Sequence, residues 1–217
     1  SIMHAISVLG MERLKSVVLT VAMRDLLRGG KPAGMVRLCW RHNLATALAA
    51  VGEKVLLVDV DPQGNASTGL GIDRKSRALS SYDILTGAAT VSEAAMETAV
   101  PGLFLIASTL DLLGVEMEIS GAPDRAHRLR QALRGDTKLG FSYVIIDCPP
   151  SLNLLTLNAM AAADSVLVPL QCEFFALEGL SQLLQTVERV RARFNPNLSI
   201  LGVALTMYDR RNRLSEQ

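Results

Sequence analysis

Aromatic residues are scarce: one Trp, three Tyr and five Phe make up 4% of 217 residues. That is too few rings for a stacking platform on single-stranded nucleic acid. Cysteine is equally rare. Cys39, Cys148 and Cys172 are odd in number, far apart and without a C-x-x-C pair, so neither a zinc site nor a disulfide framework is indicated. Reduced thiols in a cytosolic protein are the expectation. His4, His42 and His127 show no ligand spacing. Neither sign of charge dominates, since 22 Lys and Arg face 21 Asp and Glu for a net charge of +1. Any contact with nucleic acid or anionic lipid has to come from a local patch. Long hydrophobic runs are missing too. The apolar stretch from Leu154 to Leu170 is interrupted by Asn158, Asp164 and Pro169. Ser16 to Met23 is short, lies between Lys15 and Arg24, and is followed by no small-residue cleavage site, so no secretory leader is expected.

What is present points to one domain with a sizeable core, at 49% hydrophobic and 20% charged residues. Short continuous apolar runs recur: Val55 to Val58 ending in Asp59, Leu103 to Ala107, Tyr143 to Ile146 ending in Asp147, Val166 to Val168 ending in Pro169, and Ile200 to Leu205 ending near Thr206. Runs of this kind, continuous rather than alternating, are the pattern of strands covered on both faces. Helical patterns separate them over Leu44 to Val51 (stopped by Gly52), Val91 to Ala99, Arg125 to Leu133 and Leu177 to Phe194. The expected fold is therefore α/β, a mostly parallel twisted sheet with helices on both faces. Ligands of such sheets sit beyond the carboxyl ends of the strands, where Asp59, Asp61, Asp147 and Gln171 fall. Up to His42 the chain is less regular, with a polar break from Arg24 to Pro32, and a helix from Met11 to Leu27 is the only element expected there.

Asp59-Val60-Asp61-Pro62-Gln63-Gly64-Asn65 follows its strand directly. Two carboxylates two residues apart at a strand end can share a cleft, one holding a metal or its water shell and the other orienting an attacking water. Pro62 stiffens the exit, and Gly64 permits an unusual turn. The same residues also suit an acidic loop capping the next helix, or a ribose-binding Asp in a dinucleotide fold. Tyr143-Val144-Ile145-Ile146-Asp147-Cys148-Pro149-Pro150-Ser151 delivers a single Asp from an apolar run, the Walker B pattern in which the Asp holds Mg²⁺, usually through water. Cys148 reads as a small packing residue. Gly69-Leu70-Gly71 is the one hint of a nicotinamide-dependent oxidoreductase. It lies after the acidic loop instead of joining a first strand to a helix, so that class is set aside.

Taken together, four blocks resemble the ParA/MinD family of P-loop ATPases, nearest to its chromosome-partitioning ParA (Soj) branch. They are L-L-V-D-V-D-P-Q-G-N-A-S-T-G-L-G from Leu56, Y-V-I-I-D-C-P-P-S-L from Tyr143, V-P-L-Q-C-E-F-F-A-L-E-G-L-S-Q-L-L from Val168 and L-T-M-Y-D-R-R from Leu205, in family order and spacing from about Asn43 to Gln217. The resemblance implies a P-loop NTPase fold of the deviant Walker A type, and a function in chromosome or plasmid partitioning. It implies ATP and Mg²⁺ as cofactors, a homodimer formed on ATP binding, non-specific DNA binding, a ParB-like stimulating partner, no membrane, and a cytoplasmic, nucleoid-associated place in a bacterium. By the same resemblance Asp61 orients the hydrolytic water. Asp59 lies near Mg²⁺ and the phosphates, and Asp147 holds Mg²⁺ through water. Pro149 begins the switch segment, Thr206 and Met207 belong to the adenine-side loop, and Arg210 and Arg211 contact DNA.

The chain departs from that family in one block. The family carries K-G-G-x-G-K-T before the helix that here contains Leu44 to Val51, where backbone N–H groups, the helix dipole and lysines hold phosphates. Counting back from Asp61, Arg37 stands in the lysine's place and Leu38 in that of the Mg²⁺-binding Thr, and Pro32 lacks an N–H. Read one base earlier, degenerate codons for Pro32 to Leu38 permit G-G-D-G-K-T, so a frameshift restored near Asn43 is one expectation. Residues 1–42 are thus read as an atypical segment and 43–217 as a ParA-like ATPase domain, expected to be incomplete at its C-terminus. The alternative function is an inactive or truncated relative, or an adaptor, that hydrolyses no ATP.

Overall fold

A computed structural model describes residues 17–21, 44–136, 139–149, 151–171 and 176–206. Among these residues the strands are β1 (Val17–Val21), β2 (Val55–Asp59), β3 (Met96–Glu97), β4 (Leu103–Ile106), β5 (Tyr143–Cys148), β6 (Ser165–Gln171) and β7 (Ser199–Thr206). The helices are α1 (residues 44–50), α2 (Asn65–Gly69), α3 (Ser81–Thr86), α4 (Val91–Ala94), α5 (Val115–Glu118), α6 (Arg128–Gly135), α7 (Leu154–Ala162) and α8 (Ala176–Arg193). The strands form one sheet in the order β3-β4-β2-β5-β1-β6-β7. Every pairing is parallel except β3 with β4.

Both faces of this sheet are covered, as its continuous apolar strands require. Leu56, Val58, Ile106, Ile146 and Val166 pack on one face with Ile84, Val91, Leu129, Met160 and Val187 of the helices α3, α4, α6, α7 and α8. Val55, Leu57, Leu103, Leu105, Tyr143 and Ile145 pack on the other with Leu44, Ala45 and Ala49 of α1 and Ala66 of α2. The period-2 alternation of each strand sorts its residues between these two layers. Among the described residues, no helix is long and apolar enough to cross a membrane.

Three departures from the sequence expectations bear on the sheet and its cover. Val17–Val21 is a strand, and it lies between β5 and β6 in the middle of the sheet rather than within a helix from Met11 to Leu27. Four of its five residues are β-branched, which favours extended backbone. The helix expected over Val91 to Ala99 ends at Ala94, and Met96–Glu97 turns back to pair antiparallel with the outer edge of β4. Third, Leu154–Ala162 forms a helix that the pattern did not announce.

Candidate functional site

The carboxyl ends of β2 and β5 meet at one point. In their parallel register Asp59 lies opposite Asp147, and Thr20 of β1 is the residue opposite Asp147 on the other side. Asp59 shares its strand parity with Val55 and Leu57, and Asp147 with Tyr143 and Ile145, so both carboxylates belong to the layer of α1 and α2. Each is completely buried.

The Asp59 carboxylate accepts bonds from the Ser67 N–H (2.9 Å), the Ser67 hydroxyl (2.7 Å) and the Asp61 N–H (3.2 Å). Its hold on the first turn of α2 also realises the capping role open to the acidic loop. Burial pushes its carboxyl up from the ordinary 3.8 to about 6, and the bonds from Ser67 only partly offset that rise. A buried carboxylate whose pKa is raised in this way is one that a cation would stabilise, and hard oxygen donors of this kind suit Mg²⁺. The residues on this side of the site therefore fit the ion.

Asp61 rises directly from the same edge. The preceding Val60 N–H donates to the Asp147 carbonyl (2.8 Å). Its own carboxylate accepts the Gln63 N–H (3.0 Å), and its carbonyl accepts the Ser108 hydroxyl (2.5 Å) and the Gly64 N–H (2.9 Å). Gly64 adopts φ 63°, the left-handed turn that favours glycine. Pro149 is buried at the exit of β5, and its carbonyl accepts the Thr156 hydroxyl (3.2 Å) from α7. Thr206 is the last residue of β7, opposite Gln171 of β6. Met207, Arg210, Arg211 and the segment holding Arg37 and Leu38 lie outside the described residues.

The site thus gathers Asp59, Asp61, Asp147 and Pro149 at neighbouring strand ends, while Thr206 ends a strand three places from β5. Sequence reasoning missed Ser67, Arg77 and Ser108, which brace the loop. Ser108 follows the carboxyl end of β4 and was accessible to the same strand-end rule that singled out Asp59. Arg77 carried no such signal.

Residues 34–200 match the family model described as an AAA domain. The chain is 57% identical over 196 residues to the chromosome partitioning protein ParA of Caulobacter vibrioides, covering 90% of this chain and 73% of that one. The chain belongs to the ParA/MinD family of P-loop ATPases. This family member is also 50% identical over 175 residues to the sporulation initiation inhibitor protein Soj of Bacillus subtilis, covering 81% of this chain and 69% of Soj. Among solved structures, cobyrinic acid a,c-diamide synthase from Mycobacterium smegmatis with bound ADP and magnesium superposes on it with a TM-score of 0.81 at 36% identity. That match covers 92% of this chain and 78% of the synthase. A plasmid partition protein from Borrelia burgdorferi shares the fold, with a TM-score of 0.71 at 23% identity over 92% of this chain and 81% of that protein.

Proposed function

We propose that this ParA/MinD-family chain is a ParA-type chromosome or plasmid partitioning ATPase that takes ATP and Mg²⁺ at the carboxyl edge of its sheet. The observation that carries the reading is the register pair Asp59–Asp147, buried on the α1 face, with the Asp61 loop rising from it. In this reading Asp61 orients the attacking water, Asp147 would hold Mg²⁺, and Asp59 stands on the phosphate side. Pro149 opens the switch segment, and Thr206 and Met207 flank the adenine. Bound magnesium supplies neutralisation of charge on the transferring phosphate.

The protein's own contribution is positional. The Ser108 hydroxyl and the Gly64 N–H hold the Asp61 carbonyl, and the Gln63 N–H holds one carboxylate oxygen and leaves the other for water. ATP binding closes a homodimer, the dimer binds DNA non-specifically through Arg210 and Arg211, and a ParB-like partner stimulates hydrolysis. The cycle runs in the cytoplasm on the nucleoid, with no membrane involved. The partitioning name of the Caulobacter vibrioides relative supports the partitioning role in this reading.

Light scattering with Mg-ATP tests it. Asp61→Ala is expected to accumulate as an ATP-bound dimer while the parent turns over and returns to monomer. Unchanged turnover in Asp61→Ala would remove Asp61 from its role. A second reading, an inactive relative, is motivated by Arg37 and Leu38 where the family has lysine and threonine. A forked guanidinium and a hydroxyl-free side chain replace a compact charge and a metal ligand. Calorimetry separates the two, since micromolar Mg-ATP binding contradicts a dead site.

A further inference from the structure

Behind the Asp61 loop lies a guanidinium that the reading above leaves unused. Arg77 is 8% exposed. Its Nη1 donates to the Ser108 carbonyl (2.9 Å), and its Nη2 donates to the Thr68 hydroxyl and the Ile72 carbonyl (2.9 Å each). These acceptors belong to three segments: the end of β4, helix α2 and the turn after α2. Ser108 passes the restraint onward. Its hydroxyl donates to the Asp61 carbonyl, and its N–H donates to the Ser67 hydroxyl (3.1 Å), which itself donates to Asp59. Gly64 closes the packing, because a Cβ there would collide with Arg77 Nη1.

Burying a guanidinium is costly, and that burial lowers the Arg77 pKa while the Asp59 charge opposes the drop. A neutral residue could fill the same space. Only a planar fork reaches acceptors on separate segments at once. We propose that Arg77 is a positioning residue for Asp61, its guanidinium fixing the Ser108 carbonyl so that the Ser108 hydroxyl holds the Asp61 loop in place over the Asp59–Asp147 pair. The proposal rests on the reading of Asp61 as the water-orienting group.

Arg77→Gln and Arg77→Lys, made in the full chain, test it by amide hydrogen exchange and by steady-state ATPase kinetics. The expected result is faster exchange at residues 61–68 in both variants, with the amides of β2, β5 and α7 exchanging as in the parent. Turnover is expected to fall on the order of 10–100-fold with the KM for ATP little changed, as misplacement of a catalytic group does. Lysine keeps the charge but not the fork, so it is expected to resemble Gln; parent-like exchange at 61–68 in Arg77→Lys overturns the role of the fork. Uniformly faster exchange across the sheet overturns the proposal too, because it marks a general packing role. If the parent shows no ATP turnover, the functional reading fails by itself, and the exchange pattern at 61–68 still decides the role of Arg77.

Discussion

In the proposed site, Asp59 is the residue at which folding and function pull against each other. Its folded pKa of about 6 lies above the ordinary 3.8, so between those values the folded chain holds a proton that the unfolded chain has released. Asp59's contribution to stability is fully present below the unfolded value. It is lost as pH rises through about 6, an effect of at most about 3 kcal/mol. Urea midpoints measured from acid to neutral pH are expected to fall less steeply in Asp59→Asn than in the parent, because the amide has no charge to desolvate. An Asp59 whose removal left the profile unchanged would not be the titrating group. A cation bound beside the carboxylate would offset this cost at neutral pH.

At the scale of elements, α7 shows how a helix is held without an amphipathic pattern. Eight of its nine residues are buried, so no polar face marks its period. Its one buried amide does the joining. Asn158 donates to the Arg125 carbonyl (2.8 Å) and to the Leu154 carbonyl (3.0 Å), and its Oδ1 accepts the Leu129 N–H in the first turn of α6 (3.3 Å). Asn158→Ala takes the partner from the Leu129 N–H in the first turn of α6 and from the Arg125 carbonyl. It is expected to cost about 1–3 kcal/mol, read as a lowered denaturation midpoint. Helices α3 and α4 are local by contrast. Ser80 with Asp83, and Thr90 with Glu93, form capping boxes whose spacing is visible in the sequence.

At the scale of the whole molecule, the carboxyl edge carries exposed apolar side chains. Leu110 and Leu113 follow β4, Met117 lies on α5, and Leu152 follows β5; they are 51%, 68%, 81% and 52% exposed. Large apolar groups left exposed on segments that follow the strands of this edge form a candidate interaction surface. A second copy closing over the nucleotide, as in the proposed cycle, would cover them. Leu113→Glu is expected to abolish the ATP-dependent dimer of the Asp61→Ala background in light scattering while leaving the melting temperature of the monomer unchanged. Dimerisation that survived this charge would place the contact elsewhere.

The strand cores, their apolar continuity and the aspartates at their ends were determined locally, and the sequence carried them. Hydrophobic patterning reports whether a segment is covered on one face or two, and strand ends follow from where the pattern stops. The four family blocks likewise depend only on residue order. Tertiary structure alone decided that β2 lies beside β5 in a register that sets Asp59 against Asp147, and that β1 occupies the centre of the sheet. It also decided that Ser67, Ser108 and Arg77 converge behind Asp61. Neighbouring strands are chosen by pairings between residues distant in sequence. The elevated Asp59 pKa comes from what those pairings exclude from water, and no local stretch of chain records either.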